Sequence, residues 1–168
     1  MAAAPWALTE VGAAALGDPR RTRRVAALLT ALATRPEAGI PAACVTPAAT
    51  KGAYRCLSNP AIAAADLLAS HIAATMDRVR GEASILAVQD TTALDFTAHP
   101  SVVGTGPLAH PTQRGVWMHS VLAVSETGAP LGLLHQQTWA RDPATVGKRA
   151  TRRQRPTAEK ESQRWLDA

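Results

Sequence analysis

The chain has 168 residues, 46% of them hydrophobic and only 4% aromatic, so its core has to be built from Ala, Leu and Val. That supply is enough for one ordinary core or for one and a half small ones. A formal net charge of +5, with arginine making up most of the 18 basic residues, suits a polyanionic partner, although an excess of Ala and Arg equally fits a GC-rich coding sequence. No stretch is apolar for long enough to cross a membrane, and the first ten residues lack the basic start and apolar run of a signal peptide. Two cysteines, Cys44 and Cys56, make neither a disulfide framework nor a zinc spacing, so a reducing cytoplasm is the expected setting.

Residues 5–16 read as a first helix with Trp6 as a core anchor, ended by Gly17. Asp18 and Pro19 then have the form of an N-cap and first helical residue. The second helix should run to about Thr34, with Val25, Leu28, Leu29 and Leu32 on its buried side. Arg20, Arg21, Arg23 and Arg24 crowd its first turns. Cations there oppose the helix dipole at roughly 0.3–1 kcal/mol each, whereas a phosphate would turn both the charges and the free N–H groups to advantage. A solvated basic face is the equally weighted alternative.

Residues 36–41 read as a linker, and Thr46-Pro47 as the start of a third helix that ends at Asn59-Pro60. Lys51, Tyr54 and Arg55 share one face of it, a candidate surface for phosphate and base contacts. A tyrosine alone is more commonly a core residue with its hydroxyl at the surface. A fourth helix is expected over 64–80, with Leu68, Ile72, Met76 and Val79 as its buried stripe and His71 in a structural role.

Residues 84–92, SILAVQDTT, form a short apolar run that fits a central strand buried on both faces. It delivers Asp90 at its C-terminal end, with Asp95 beyond. Such a carboxylate needs a metal ion or an arginine to offset its desolvation, or else it simply caps a turn. A loop over 99–114 follows, whose GTGP lacks the lysine and helix start of a phosphate loop. Residues 115–125 and 131–139 then read as an antiparallel hairpin around the turn ETGAP. His119 and His135 lie on these strands without ligand-spaced partners. Residues 141–156 are dominated by Arg and Lys and read as a flexible basic segment able to touch nucleic acid. A helix restarts at Thr157.

Four separated segments, LGDPRRTRR (16–24), KGAYRCLSNP (51–60), LAVQDTTAL (86–94) and the WMHSVLAV, GLLHQQTW and EKESQRWL series (117–166), together resemble the N-terminal part of bacterial cut-and-paste transposases of the insertion-sequence-four type. The resemblance runs over nearly the whole chain in the same order. It implies an α+β protein: a helical domain over 1–80 that binds transposon-end DNA, then an incomplete ribonuclease-H-like core over 81–168 with three antiparallel strands. By match of motif, Arg20, Arg21, Arg24, Lys51, Tyr54 and Arg55 fall in segments that contact double-stranded end DNA, and Asp90 matches the first acid and metal ligand of an Asp-Asp-Glu triad.

In that family the second Asp and the Glu come from elements expected beyond residue 168. Two-metal phosphoryl transfer needs several carboxylates to hold two Mg²⁺ roughly 3.5–4 Å apart. Asp95, Glu126, Glu159 and Glu161 do not occupy the matching places. The expectation is therefore a truncated DNA-binding remnant that does no chemistry alone and acts, for instance, as an inhibitor of a full-length transposase. The alternatives are one piece of a metal-dependent transposase or nuclease completed by another chain, and a non-catalytic interaction protein with incidental charge.

Overall fold

The computed structural model describes residues 2–110, 112–145, 156, 158, 160 and 163–168. The chain divides into two compact units, Met1–Gly81 and Glu82–Ala168. The first is helical and the second is built on an antiparallel sheet, an α+β protein.

Five helices make up the first unit: α1 Pro5–Val11, α2 Pro19–Thr34, α3 Ile40–Cys44, α4 Pro47–Leu57 and α5 Ala64–Val79. Helix α1 is shorter than its sequence suggests. Gly12, worth roughly 1 kcal/mol less than Ala inside a helix, sits at its C-cap, and a turn then carries Leu16 into the core. Gly17 follows with φ of 69°, a conformation that excludes an ordinary side chain. Trp6 is 47% exposed, because α1 buries Ala7 and Val11 instead. The expected linker over 36–41 contains the start of α3, whose five residues close on Pro41 at N1/N2.

Two apolar clusters hold the unit together. Ala7, Val11, Leu16, Val25, Ala26 and Cys56 join α1, α2 and α4. Leu28, Cys44 and Ala53 join α2, α3 and α4. Both thiols are free and buried. The inward face of α5 departs from the predicted stripe: Ser70, Ala74 and Thr75 are buried, while Met76 is 40% exposed. The physical reason is polar pairing. Ser70 Oγ accepts the Ala13 N–H at 3.1 Å, and Glu10 of α1 binds His71 Nδ1 at 2.6 Å and Arg78 Nη1 at 2.6 Å. Burial works to raise the Glu10 carboxyl, but the hydrogen bonds and charges of Arg78 and His71 outweigh it and hold it below its usual value. His71 is thus structural.

Among the described residues the sheet of the second unit has four strands, β1 Ile85–Asp95, β2 Gly106–Pro107, β3 Arg114–Ser125 and β4 Pro130–Trp139, with β3 in the middle. The two-residue β2 is the addition to the three strands expected; it pairs Gly106 and Pro107 with Gly115 and Arg114. β1 pairs with β3 from Ile85↔Ser125 to Asp95↔Gly115. β4 pairs with β3 through two irregularities, at Val121/Leu122 and Ala123/Val124. β3 alternates cleanly, burying Gly115, His119, Val121, Ala123 and Ser125. β1 does not have the two-sided burial its apolar run suggested. It pairs with β3 alone among the described residues, and Leu86 and Val88 are 64% and 50% exposed.

The first five residues of the expected flexible segment include one ring contact and one short turn. The Arg141 guanidinium lies 4.2 Å from the centre of the Trp117 ring, and a 3-10 turn spans Pro143–Thr145. Residues 146–155, and Thr157 where the last helix was expected to begin, lie outside the described residues. Its described part is α6, Arg164–Asp167, anchored by Arg164 over the Trp139 ring and by Trp165 against His119 at 4.9 Å.

Candidate functional site

The start of α2 is built by local chemistry. Asp18 Oδ1 accepts the Arg20 N–H at 2.8 Å, and Pro19 supplies a helical φ at no cost in hydrogen bonds. The four arginines that follow do different things. Arg21 turns back, its Nη1 donating to the Leu16 carbonyl at 2.7 Å, and so fastens the turn before the helix. Arg23 Nε reaches the Pro19 carbonyl at 3.3 Å. Arg20 and Arg24, one turn apart, are exposed, and their side chains make no hydrogen bond or ion pair among the described residues.

Helix α4 presents a matching face. Thr46 Oγ1 caps it by accepting the Ala49 N–H at 3.2 Å. Ala49, Ala53 and Cys56 point inward at i, i+4 and i+7, which puts Lys51, Tyr54 and Arg55 outside. Tyr54 is 51% exposed and so is no core residue. Lys51 and Arg55 are likewise without an ion-pair partner among the described residues. The three line a groove of about 740 Å³ together with Pro41, Val45, Thr46, Pro47, Thr50 and Ser58. Val45 forms one wall from a φ of 65° and ψ of −41°, with Thr46 N–H bonded to the Cys44 carbonyl at 2.7 Å. That is a γ-turn with positive φ at a β-branched residue, a strained form.

Arg24 faces the space between the two helices. It lines a second cavity, of about 140 Å³, with Ala27, Leu28, Cys44, Ala49, Gly52 and Ala53. Burial pushes the Cys56 thiol up, and the nearby Arg24 charge opposes that rise. Three acids of this unit are engaged elsewhere, Glu10 with His71 and Arg78, Asp77 with Arg80 and Asp18 on its cap, and neither Glu37 nor Asp66 pairs with these cations among the described residues. What α2 and α4 offer is a set of exposed cations around two recesses, with an aromatic hydroxyl among them. Such a surface binds phosphates and can stack or hydrogen-bond a base.

In the second unit, Asp90 is the sixth residue of an eleven-residue strand and not its end. The end is Asp95, and there the turn-capping alternative applies: Thr97 N–H and Oγ1 both bond Asp95 Oδ1 and lower its pKa. Asp90 is exposed, faces Ser120 across the ladder, and among the described residues accepts only a long contact from Thr92 Oγ1 at 3.4 Å. Among the described residues, no three His, Cys, Asp or Glu side chains converge to hold a metal ion. Among the described residues, the donors around Asp90 do not by themselves make up a site for a pair of Mg²⁺ ions.

His119 is fully buried, with Nδ1 at 2.8 Å from Thr91 Oγ1. Its Nε2, the Nε2 of His135 and the Trp117 Nε1 have no hydrogen-bond partner among the described residues. Sequence patterning did not reveal the role of Glu10. A single acid in a short helix acquires meaning only once α5 brings His71 and Arg78 to it. Nor did it separate the inward-turned Arg21 from its neighbours.

Residues 3–62, the span that carries every one of these cations, match the family model described as transposase DNA-binding. The match ends before the sheet. It supports a transposase-derived DNA-binding role for the helical unit. No helix of the described residues is long and apolar enough to cross a membrane.

Proposed function

We propose that this chain binds double-stranded transposon-end DNA through the outer faces of α2 and α4, and that it derives from a cut-and-paste transposase of the insertion-sequence-four type. The supporting observation is the set Arg20, Arg24, Lys51 and Arg55: exposed, unpaired cations within a segment that matches transposase DNA-binding domains. Arg20 stands against the dipole in the first turn of α2, and Arg24 and Lys51 gain no ion pair among the described residues, while Arg55 has only the favourable dipole at the last turn of α4. A polyanion offsets all four. Tyr54 is assigned to a sugar or base contact beside them, and Arg21 to holding the turn that presents α2.

The ribonuclease-H-like reading of the second unit belongs to the same proposal, with Asp90 as its first acid. The parent activity is then DNA transposition by two-metal phosphoryl transfer. Among the described residues no acids converge with Asp90, so the described part of the chain is assigned a binding role without cleavage, with the further ligands of such a site left to residues outside those described or to another chain. An intact transposase that recognises the same DNA end would be a competitor for it. Two buried thiols without a disulfide fit a reducing cytoplasm.

The test is binding of a labelled duplex by the full chain and by the variant Arg20→Ala/Arg24→Ala/Lys51→Ala/Arg55→Ala. The proposal expects tight binding by the first and a loss of at least about a hundredfold in the second. Equal affinities would end it.

A further inference from the structure

Gly52 stands in the middle of α4, where glycine is the poorest residue apart from proline. Nothing among the described residues requires it. A Cβ built there meets no atom within 4 Å, and the backbone is ordinary right-handed helix. The glycine opens instead onto the cavity of about 140 Å³ between α2 and α4. Arg24 lines that cavity from α2, and Lys51 and Arg55, next in the chain to Gly52 and one turn on, line the groove on the outer face of α4. A bare stretch of helix flanked by unpaired cations is complementary to a sugar–phosphate strand that comes closer than any side chain would allow.

We infer that Gly52 marks the point of closest approach of one DNA strand, whose backbone seats in the α2–α4 notch with Arg24 on one side and Lys51 and Arg55 on the other. This rests on the DNA-binding reading above and adds to it a positioning residue without charge. Gly52 acts by what it leaves empty.

The two consequences of filling it point in opposite directions, which makes the inference testable. In Gly52→Ala the helix gains propensity and no clash arises, so the melting temperature of the full chain should rise by roughly 2–8 °C. Its affinity for a mixed-sequence duplex should fall by about tenfold or more, and further in Gly52→Leu. The salt dependence of binding should keep its wild-type slope, since no charge is removed. Raised stability with unchanged affinity would overturn the inference while leaving the DNA-binding reading intact. A lowered melting temperature would also overturn it, by showing that the notch is closed in solution. A change in self-association with no change in DNA affinity would show that the notch seats a second copy, and the inference would fail. A wild-type chain that does not bind the duplex at all removes the DNA-binding reading first, and this inference with it.

Discussion

Replacing Glu10 by Gln keeps the shape of the side chain and removes the charge that joins α1 to α5. Its side chain is 15% exposed, and those of His71 and Arg78 are 31% and 34% exposed. Breaking a fully buried ion pair costs about 3–5 kcal/mol, and losing an exposed one costs about 0–1 kcal/mol. A half-buried three-member group belongs between these, at about 2 kcal/mol. For a helical unit of this size that is a fall in melting temperature of about 10 °C. The pH dependence has a definite sign. The Glu10 carboxyl is held below its usual value in the folded protein, so its contribution is complete above the unfolded value and disappears as pH falls through the folded one. Wild type and Glu10→Gln should therefore differ at neutral pH and converge as acid protonates the carboxyl in the folded protein. Thermal unfolding of the helical signal at neutral and acid pH measures this. Equal melting at neutral pH, or a gap of constant size down to acid pH, would refute the reasoning.

Asp90→Asn, at an exposed position with no strong partner, should change stability by less than about 0.5 kcal/mol. Neither it nor the wild-type chain should nick a transposon-end duplex in Mg²⁺ or Mn²⁺, and cleavage by wild type alone would show that a complete site forms. On β1, Leu86 and Val88 leave apolar side chains exposed on a strand paired only with β3 among the described residues, a setting that favours self-association. Val88→Lys should lower light scattering of concentrated protein without lowering its melting temperature, and a marked destabilisation would show that Val88 is covered.

The helical order was legible because its punctuation is chemical. Asp18-Pro19 and Thr46-Pro47 cap α2 and α4 as those residue types do elsewhere, and α2 ends at Thr34 as read. The boundary of α1 was not, since an isolated glycine inside an apolar run does not say whether the helix continues. The stripe on α5 was displaced for a different reason: its buried face carries Ser70, Thr75 and half-buried His71 and Arg78, polar residues that periodicity assigns outward. The apolar run at 85–88 read as a buried central strand, yet burial depends on what lies alongside, which no local pattern contains. At the site, the spacing of Lys51, Tyr54 and Arg55 placed them on one outer face. It could not show that Arg21 turns inward or that Gly52 opens onto a cavity.

The claim at the centre of this account is that Arg20, Arg24, Lys51 and Arg55 neutralise DNA phosphates. The most direct test is the slope of log K against log salt for a duplex, measured for the full chain with and without these four charges. Each phosphate contact contributes about 0.9 to that slope. The fourfold alanine variant should be shallower than wild type by about 3.6, and each single variant by about 0.9. Identical slopes for wild type and the fourfold variant would contradict the account and move the DNA interface away from α2 and α4.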